Sequence, residues 1–362
     1  MTDLLHSLRE AFFMLWETLW ALVLGFALSG AVQAFVPRES MERALGDHRP
    51  PAVARASFFG MVSSSCSYAA SAMARSLYEK GADFLTAMAF MFASTNLVVE
   101  LGVVLLVLLG WQFAAAEFVG GVLMIVLLVT LGGFVLTRRA TDRARAHLAD
   151  ANLAHERVHG HDHCHDAPTS AAGWAEAAAY TMADIKMLRR ELVIGCVVAG
   201  LLAVVVPTAA WNDLFLTGHG FWTTVQNVVI GPFIALISFV CSIGNVPLAA
   251  ALWRGGISFG GVISFVFADL IAFPLVLVYR RFYGTRVAIR LTLTFWATMS
   301  VAGLVVQGLF QLLGAVPRSR PKQIVATHFA WNYTTFLNIV FLGVFAVLYR
   351  LSRTRDEVPV TP

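Results

Sequence analysis

Two short segments place a thiol beside hydroxyl and amide groups within otherwise apolar sequence. Residues 63–68 read Ser-Ser-Ser-Cys-Ser-Tyr, and residues 241–247 read Cys-Ser-Ile-Gly-Asn-Val-Pro. Hydroxyl and amide groups are costly in lipid unless they are hydrogen-bonded or line a water-filled cavity, and sulfur is a ligand for soft ions. The segments are therefore predicted to line the pathway of a small solute, and the alternative is that Ser and Cys only permit close helix packing. The residues assigned to the pathway are Cys66, Ser67, Cys241, Ser242 and Asn245.

Four carboxylates also stand in apolar sequence, where each costs at least about 2.5 kcal/mol at the centre of a bilayer. Glu17 and Glu117 lie within about two turns of the ends of their apolar runs, so solvation at the membrane interface is expected for both. Glu100 follows Asn96 by four residues, which places both on one helix face. Asn96, Glu100 and Asp269 are therefore added to the predicted pathway.

Glu100 and Asp269 are also candidates for carrying protons. An apolar environment favours the neutral form of a carboxyl group, so uptake of a proton on one side of the membrane and release on the other would couple transport to a proton gradient. The alternative is that each carboxyl stays neutral, or pairs with a basic residue such as Arg75, and holds helices together. Because the sequence has no Walker A pattern, transport is expected to run on an ion or substrate gradient.

A further set of potential ligands lies in a polar stretch between apolar runs. Histidine and cysteine side chains at this density bind zinc, copper or nickel. Their alternating spacing in a Gly- and Asp-containing loop fixes no coordination geometry, so a loose chelating loop is predicted, with a merely solvated loop as the alternative. An amphipathic helix at the membrane interface is predicted to follow over residues 174–190. The candidate metal ligands are His155, His159, His161, His163, Cys164 and His165.

The elements that must position these residues are membrane helices. Of the 362 residues, 58% are hydrophobic and 13% charged, and the mean hydropathy is +0.72. Soluble domains have about 45–50% apolar and 25% charged residues. The composition therefore predicts an all-α polytopic membrane protein and excludes a secreted disulfide scaffold, a disordered chain and a nucleic-acid-binding module. Helices are predicted over residues 11–36, 52–78, 84–109, 112–136, 191–210, 225–253, 257–279, 288–314 and 324–349.

Basic residues between the apolar runs predict the orientation of the chain. The clusters expected on the cytoplasmic side lie in 38–55, 138–190, 280–290 and 350–355. If every run crossed the membrane, the first two clusters would lie on opposite sides. Residues 52–80 and 225–253 are therefore predicted to be broken or re-entrant helices that enter from opposite faces, which leaves the basic residues in 318–322 outside.

The two broken segments belong to an internal repeat. Shifted by 175 positions, residues 66–93 match the later sequence at nine positions, including both cysteine–serine pairs, whereas chance gives about two or three. Two copies of opposite orientation form the inverted-repeat plan of secondary transporters, although small and aromatic residues also recur in any membrane helix. The predicted divisions are a first repeat at 1–137, a cytoplasmic His-rich loop and interfacial helix at 138–190, a second repeat at 191–316, and a final helix and tail at 317–362.

Three stretches of sequence carry a family resemblance. They read Ser-Cys-Ser-Tyr-Ala-Ala-Ser-Ala-Met-Ala at 65–74, Phe-Ala-Ser-Thr-Asn-Leu-Val-Val-Glu-Leu-Gly at 92–102 and Cys-Ser-Ile-Gly-Asn-Val-Pro-Leu-Ala at 241–249. The chain resembles, over nearly its whole length, the predicted permease family that contains the organoarsenical efflux permeases. The resemblance implies a bacterial inner-membrane permease and candidate thiolate ligands at Cys66 and Cys241. The chain has Tyr68 where the second cysteine of the Cys-Ser-Cys form found in many relatives falls.

Together these features predict a secondary transporter, not an enzyme, that exports a small thiophilic solute of organoarsenical or heavy-metal type and needs no cofactor. The expected partners are a small-molecule or ion substrate and the lipid bilayer. The alternative is a membrane thiol/disulfide oxidoreductase in which Cys66 and Cys241 form a reversible disulfide, which requires their Cα atoms to approach within about 7 Å. A third interpretation, a heavy-metal exporter or sensor, rests on the histidine loop.

Overall fold

The fold of the chain is built from helices. The computed structural model describes residues 2–36, 38–63, 66–159, 171–205, 220–238, 245–317 and 333–356. Within these residues there is no β-strand, which agrees with apolar runs too long for barrel strands.

The helices of the first half begin with a long α1 and include several short elements. They are α1 (Thr2–Phe35), α2 (Arg38–Leu45), α3 (Pro50–Ser63), α4 (Ser67–Glu79), α5 (Phe84–Asn96), α6 (Val99–Leu108), α7 (Trp111–Val135) and α8 (Arg138–His159). The second half contains α9 (Ala171–Val205), α10 (Phe221–Ser238), α11 (Asn245–Arg254), α12 (Phe259–Val266), the short 3-10 helix η1 (Phe267–Ile271), α13 (Phe273–Tyr283), α14 (Thr285–Leu312) and α15 (Tyr333–Asp356).

Several of these helices are long and apolar enough to cross a membrane. Within the described residues they are α7, α10, α14 and the Thr334–Arg353 part of α15. A further crossing results if Phe259–Ile271 and α13, which meet at 42°, form one bent span. The chain is therefore a multi-pass membrane protein, as its composition predicts.

Two helices predicted to be continuous are broken in the structure. The predicted helix 84–109 is interrupted at Val98, which is extended (φ −87°, ψ 137°). The predicted helix 257–279 is interrupted at Ala272 (φ −50°, ψ 140°). Pro274 lies in the first turn of α13, where its missing N–H costs no hydrogen bond. Apolar periodicity continues across both breaks, so the sequence pattern did not separate the helices.

The turns that follow α4 and α11 have the same local structure. Gly81 and Gly256 take positive φ values of 105° and 108°, which side chains disfavour. In both turns the amide of the next residue bonds to the carbonyl five residues earlier. Asp83 and Ser258 then begin the next helices, and their side chains accept hydrogen bonds from backbone N–H groups. The paired residues are 175 positions apart.

The same spacing relates whole elements of the two halves. It superimposes the sequence ranges of α1 on α9, α3 on α10, α4 on α11, α5 on α12 with η1, α6 on α13, and α7 on α14. Packing follows the same pairs: α3 packs against α5 as α10 packs against α12, and α1 packs along α9. The breaks before α6 and α13 also correspond. The repeat seen in the sequence therefore recurs in turns, helix boundaries and packing.

The polar segment between the halves is more helical than the sequence predicted. α8 continues to His159 and buries Ala140, Ala144 and Leu148. α9 is one helix from Ala171 to Val205, so the amphipathic helix predicted over 174–190 has no end at residue 190. Its small buried side chains pack against α1 and α15. Ala178 and Thr181 of the predicted apolar face are therefore buried in protein contacts, whereas Trp174 is 46% exposed, and the location at the membrane interface stays a prediction.

Candidate functional site

The first polar segment lies at the start of α4. Cys66 precedes the helix with extended backbone angles (φ −66°, ψ 157°), and its side chain is half-buried. Ser67 is the first helical residue and is 4% exposed. The helix start therefore places a thiol and a buried hydroxyl side by side at the interruption between α3 and α4.

Ser67 joins this interruption to the second half of the chain. Its hydroxyl donates a 2.9 Å hydrogen bond to Oδ2 of Asp269, 202 residues away. Asp269 lies in η1 and is 2% exposed. Next to it, Ala268 leaves helical geometry (φ −88°, ψ 17°), and Ala272 ends the element. Two residues that the sequence assigned to the pathway thus meet where the irregular segments of the two halves touch.

A tyrosine that the sequence analysis missed supports the same turn. The fully buried Tyr279 hydroxyl donates a 2.8 Å hydrogen bond to the carbonyl of Leu270, the residue after Asp269. It also lies 3.8 Å from the sulfur of Met91 on α5. Tyr279 therefore ties α13 to the backbone of η1. A tyrosine hydroxyl within an apolar stretch of sequence was the signal that could have identified this residue.

Glu117 is buried against this region, contrary to the expectation of interfacial solvation. The side chain is 0% exposed, and neither carboxylate oxygen has a hydrogen-bond partner among the described residues. It interacts electrostatically with Asp269. Although Glu117 is near the start of α7 in sequence, Phe113 on the same helix face packs its ring against Trp253 and Phe259. These rings cover the start of α7. The position of Glu117 near the end of its apolar run therefore does not make its side chain exposed.

Asn96 ends α5 close to Glu117. A Cβ atom placed on Gly121, one turn after Glu117, would lie 3.4 Å from the Asn96 carbonyl oxygen. The Asn96 side chain is 1% exposed, and its Nδ2 donates a 3.0 Å hydrogen bond to Oγ1 of Thr95. Its Oδ1 has no partner in the described part of the chain. Asn96 is therefore a buried polar residue next to the α7 face that carries Glu117.

The second polar segment is described only from Asn245 onwards. Asn245 begins α11 and is fully buried, and its amide group has no hydrogen-bond partner among the described residues. Cys241, Ser242 and the side chain of Glu100 lie outside the described residues. The oxidoreductase alternative depends on the separation of the two cysteines, so it stays a prediction.

The candidate metal ligands fall outside the described side chains. His155 and His159 belong to α8, but only their backbone is described, and the other four ligands lie in 160–170, outside the described residues. Within the residues that the structure describes, no group of three or more His, Cys, Asp or Glu side chains is placed to hold a metal ion. The chelating loop therefore stays a prediction.

A second buried polar cluster lies where α1, α4 and α9 meet. Arg75 Nε donates a 2.6 Å hydrogen bond to Glu79, and its Nη1 lies 3.8 Å from Oδ1 of Asp184. Ser29 and Gln33 donate hydrogen bonds of 2.8 Å and 3.0 Å to Oδ2 of Asp184. Burial raises the pKa of Asp184 to about 6, although Arg75 opposes this shift. Arg75 thus pairs with these two acids. The sequence alternative, which pairs Arg75 with Glu100 or Asp269, stays a prediction for Glu100, because that side chain lies outside the described residues.

Comparison with known proteins gives a consistent result. The family model ArsP_1, described as a predicted permease, matches residues 5–308. The chain is 46% identical over 335 residues to the putative permease Rv2963 of Mycobacterium tuberculosis, covering 90% of this chain and 82% of that protein. It is 29% identical over 120 residues to the UPF0718 protein YraQ of Escherichia coli, covering 33% of this chain and 34% of that protein. No solved structure matches.

Proposed function

The chain belongs to the ArsP_1 family of predicted permeases, and on that premise we propose that it is a secondary transporter that exports a small thiophilic solute of organoarsenical or heavy-metal type. Family membership and the apolar helices make it a multi-pass membrane permease. The proposed location is the bacterial inner membrane, because both relatives are bacterial proteins.

The observation that carries the proposal is the hydrogen bond between Ser67 and Asp269. Secondary transporters with internal repeats bind their substrates at the interface of the repeats, on interrupted helices. The bond joins an interruption in one half of the chain to an interruption in the other, and both residues are buried. This is the arrangement from which a central substrate site can be built.

The recurrence of helix boundaries supports two inverted repeats. Gene duplication in a transporter produces two segments that share the same turns and the same pairs of packed helices. With the basic clusters on the cytoplasmic side, the copies have opposite orientation across the membrane. In this proposal, α3 with α4 and α10 with α11 are the two broken segments that enter from opposite faces.

The thiol of Cys66 supports a thiophilic substrate. It stands next to Ser67 at the proposed centre of the pathway, and soft ions prefer sulfur ligands. The proposed pathway consists of Cys66, Ser67, Asn96, Glu100, Cys241, Ser242, Asn245 and Asp269, as the sequence predicts.

A resistance panel tests this function. The gene is expressed in a sensitive bacterial host, and growth is measured with a trivalent methylated arsenical, antimonite, zinc, copper or mercury. We expect growth protection against at least one thiophilic compound and its loss in Cys66→Ser, because serine is similar in size but lacks the sulfur donor. Cys196→Ser is the matched control and is expected to keep protection. Equal protection by wild type and Cys66→Ser, at equal protein levels, would contradict thiol coordination of the substrate.

A further inference from the structure

The described residues contain two buried carboxyl groups that interact with each other. Glu117 is fully buried on α7, and Asp269 is 2% exposed on η1. The two groups interact electrostatically, as like charges would if both were ionised. Asp269 accepts a hydrogen bond from Ser67, whereas the two oxygens of Glu117 receive none from any described residue.

The elements packed around α7 supply no described cation to Glu117. α5 and α12 contain no charged residue, and α14 carries its basic residues Arg286 and Arg290 on exposed positions near its start. α6 contains Glu100, whose side chain lies outside the described residues. Asp269 is thus the charged group of the described neighbours that acts on Glu117.

An ionised carboxylate in such surroundings is strongly disfavoured. A buried charge without a partner or a donor costs several kcal/mol, and a second carboxylate nearby adds repulsion. A carboxyl group avoids both costs when it holds a proton. Glu117 is therefore suited to hold a proton in the buried arrangement and to lose it when water reaches the site.

On the basis of the proposed transport function, we propose that Glu117 is the binding site of the coupling proton and that it acts beside Asp269. Opening of the contact between Ser67 and Asp269 would admit water to the pair and allow the Glu117 carboxyl to release its proton. Closure would require the proton to be taken up again. The transported proton thus binds a residue that the sequence pattern placed at the membrane interface.

Infrared spectroscopy of the purified full-length protein tests this proposal without a substrate. The C=O stretch of protonated carboxyl groups is recorded during a pH titration and identified by its shift in heavy water. We expect the wild type to show a buried protonated carboxyl at neutral pH, Glu117→Gln to lack it, and Glu117→Asp to restore a protonated carboxyl signal. Asp184→Asn, which changes a buried acid outside the Glu117–Asp269 pair, is the matched control and should keep the Glu117 signal.

An unchanged protonated carboxyl signal in folded Glu117→Gln would overturn the proposal. So would a signal that appears only when sodium is removed, since the site would then bind a metal cation in exchange for the proton. Folding of each variant is checked by gel filtration. If Glu117→Gln fails to fold, Glu117→Asp is used instead. A carboxyl signal in Glu117→Asp with the same frequency and the same titration as in the wild type would contradict the assignment to Glu117. Because the measurement needs no substrate, a failed resistance panel with a positive infrared result rejects only the proposed substrate. The reverse pattern rejects only the proton site.

Discussion

Two buried acidic clusters differ in how their charges are compensated. In the α1–α4–α9 cluster, Asp184 has an arginine near one oxygen and donors from Ser29 and Gln33 on the other. In the α7–η1 pair, Glu117 has neither a donor nor a cation among the described residues, and its charged neighbour is another carboxylate. Both acids are nearly or fully inaccessible to solvent, so burial alone does not distinguish them.

The difference separates a structural role from a functional one. A buried charge with partners holds elements together, and losing one partner leaves the others uncompensated. A buried carboxyl without partners adds nothing to stability and marks a functional site in a membrane protein. Arg75 and its acids are therefore assigned to fold stability, and Glu117 with Asp269 to transport.

The largest expected effect on stability comes from removing the arginine of the compensated cluster. Arg75→Met leaves the half-buried Glu79 and the buried Asp184 without their cation, and the free energy of unfolding should fall by about 3–5 kcal/mol. Thermal unfolding of the purified protein measures the change. Adding Asp184→Asn to Arg75→Met should recover part of the loss. Glu117→Gln should not lower the melting temperature, and an equal fall in both single variants would erase the distinction between the clusters.

A smaller effect is expected at the contact between the two halves. Ser67→Ala removes the hydroxyl that donates to Asp269, and hydrogen bonds to charged groups contribute about 1.5–3 kcal/mol. Ser71→Ala is the control, because that hydroxyl bonds to the Tyr68 carbonyl within its own helix. The stability of both variants is measured with and without Asp269→Asn. If Ser67→Ala and Asp269→Asn are additive, the hydrogen bond contributes nothing to stability.

The smallest effect is a pH dependence from Asp184, which lies in the polar first part of α9. The pKa is raised in the folded protein to about 6 from an ordinary value of 3.8, so between these values the folded state binds more protons than the unfolded state. Stability should therefore fall as the pH rises from 3.8 to about 6, and this component should be missing in Asp184→Asn. Melting temperatures of the two proteins across this range test the sign. Parallel curves would show that Asp184 titrates alike in both states.

Local features of the fold were readable from the sequence because they depend on nearby residues. The composition predicted membrane helices, and the spacing of 175 predicted corresponding elements that recur in the turns at Gly81 and Gly256. Positive φ and N-cap side chains are local properties, so glycines at equal spacing produce the first, and the capping residues Asp83 and Ser258 produce the second. The breaks at Val98 and Ala272 were missed because apolar residues continue through them.

The site was predicted only in part because it depends on contacts across the chain. Asp269 was identified by the free-energy cost of a carboxylate in a bilayer, and Ser67 by the run of hydroxyl side chains around Cys66. Nothing in the local sequence indicated that Ser67 and Asp269 form a hydrogen bond with each other. Glu117 was assigned to the interface because distance to a helix end was taken as exposure. Trp253 and Phe259, from distant helices, pack against Phe113 one turn before Glu117, and residues so far apart in sequence provided no signal for that packing. Asp184 as the partner of Arg75 was missed for the same reason.

Uptake of a trivalent methylated arsenical into inverted membrane vesicles, with and without an imposed pH gradient, tests the role of Glu117 and Asp269 in transport most directly. Asp269→Asn is compared with Asp184→Asn, because both change one buried aspartate to its amide and differ in the cluster that they affect. We expect Asp269→Asn to lose uptake driven by the pH gradient and Asp184→Asn to respond to the gradient like the wild type. Gradient-driven uptake that survives in Asp269→Asn, or is lost equally in both variants, would contradict the assignment of transport to Glu117 and Asp269.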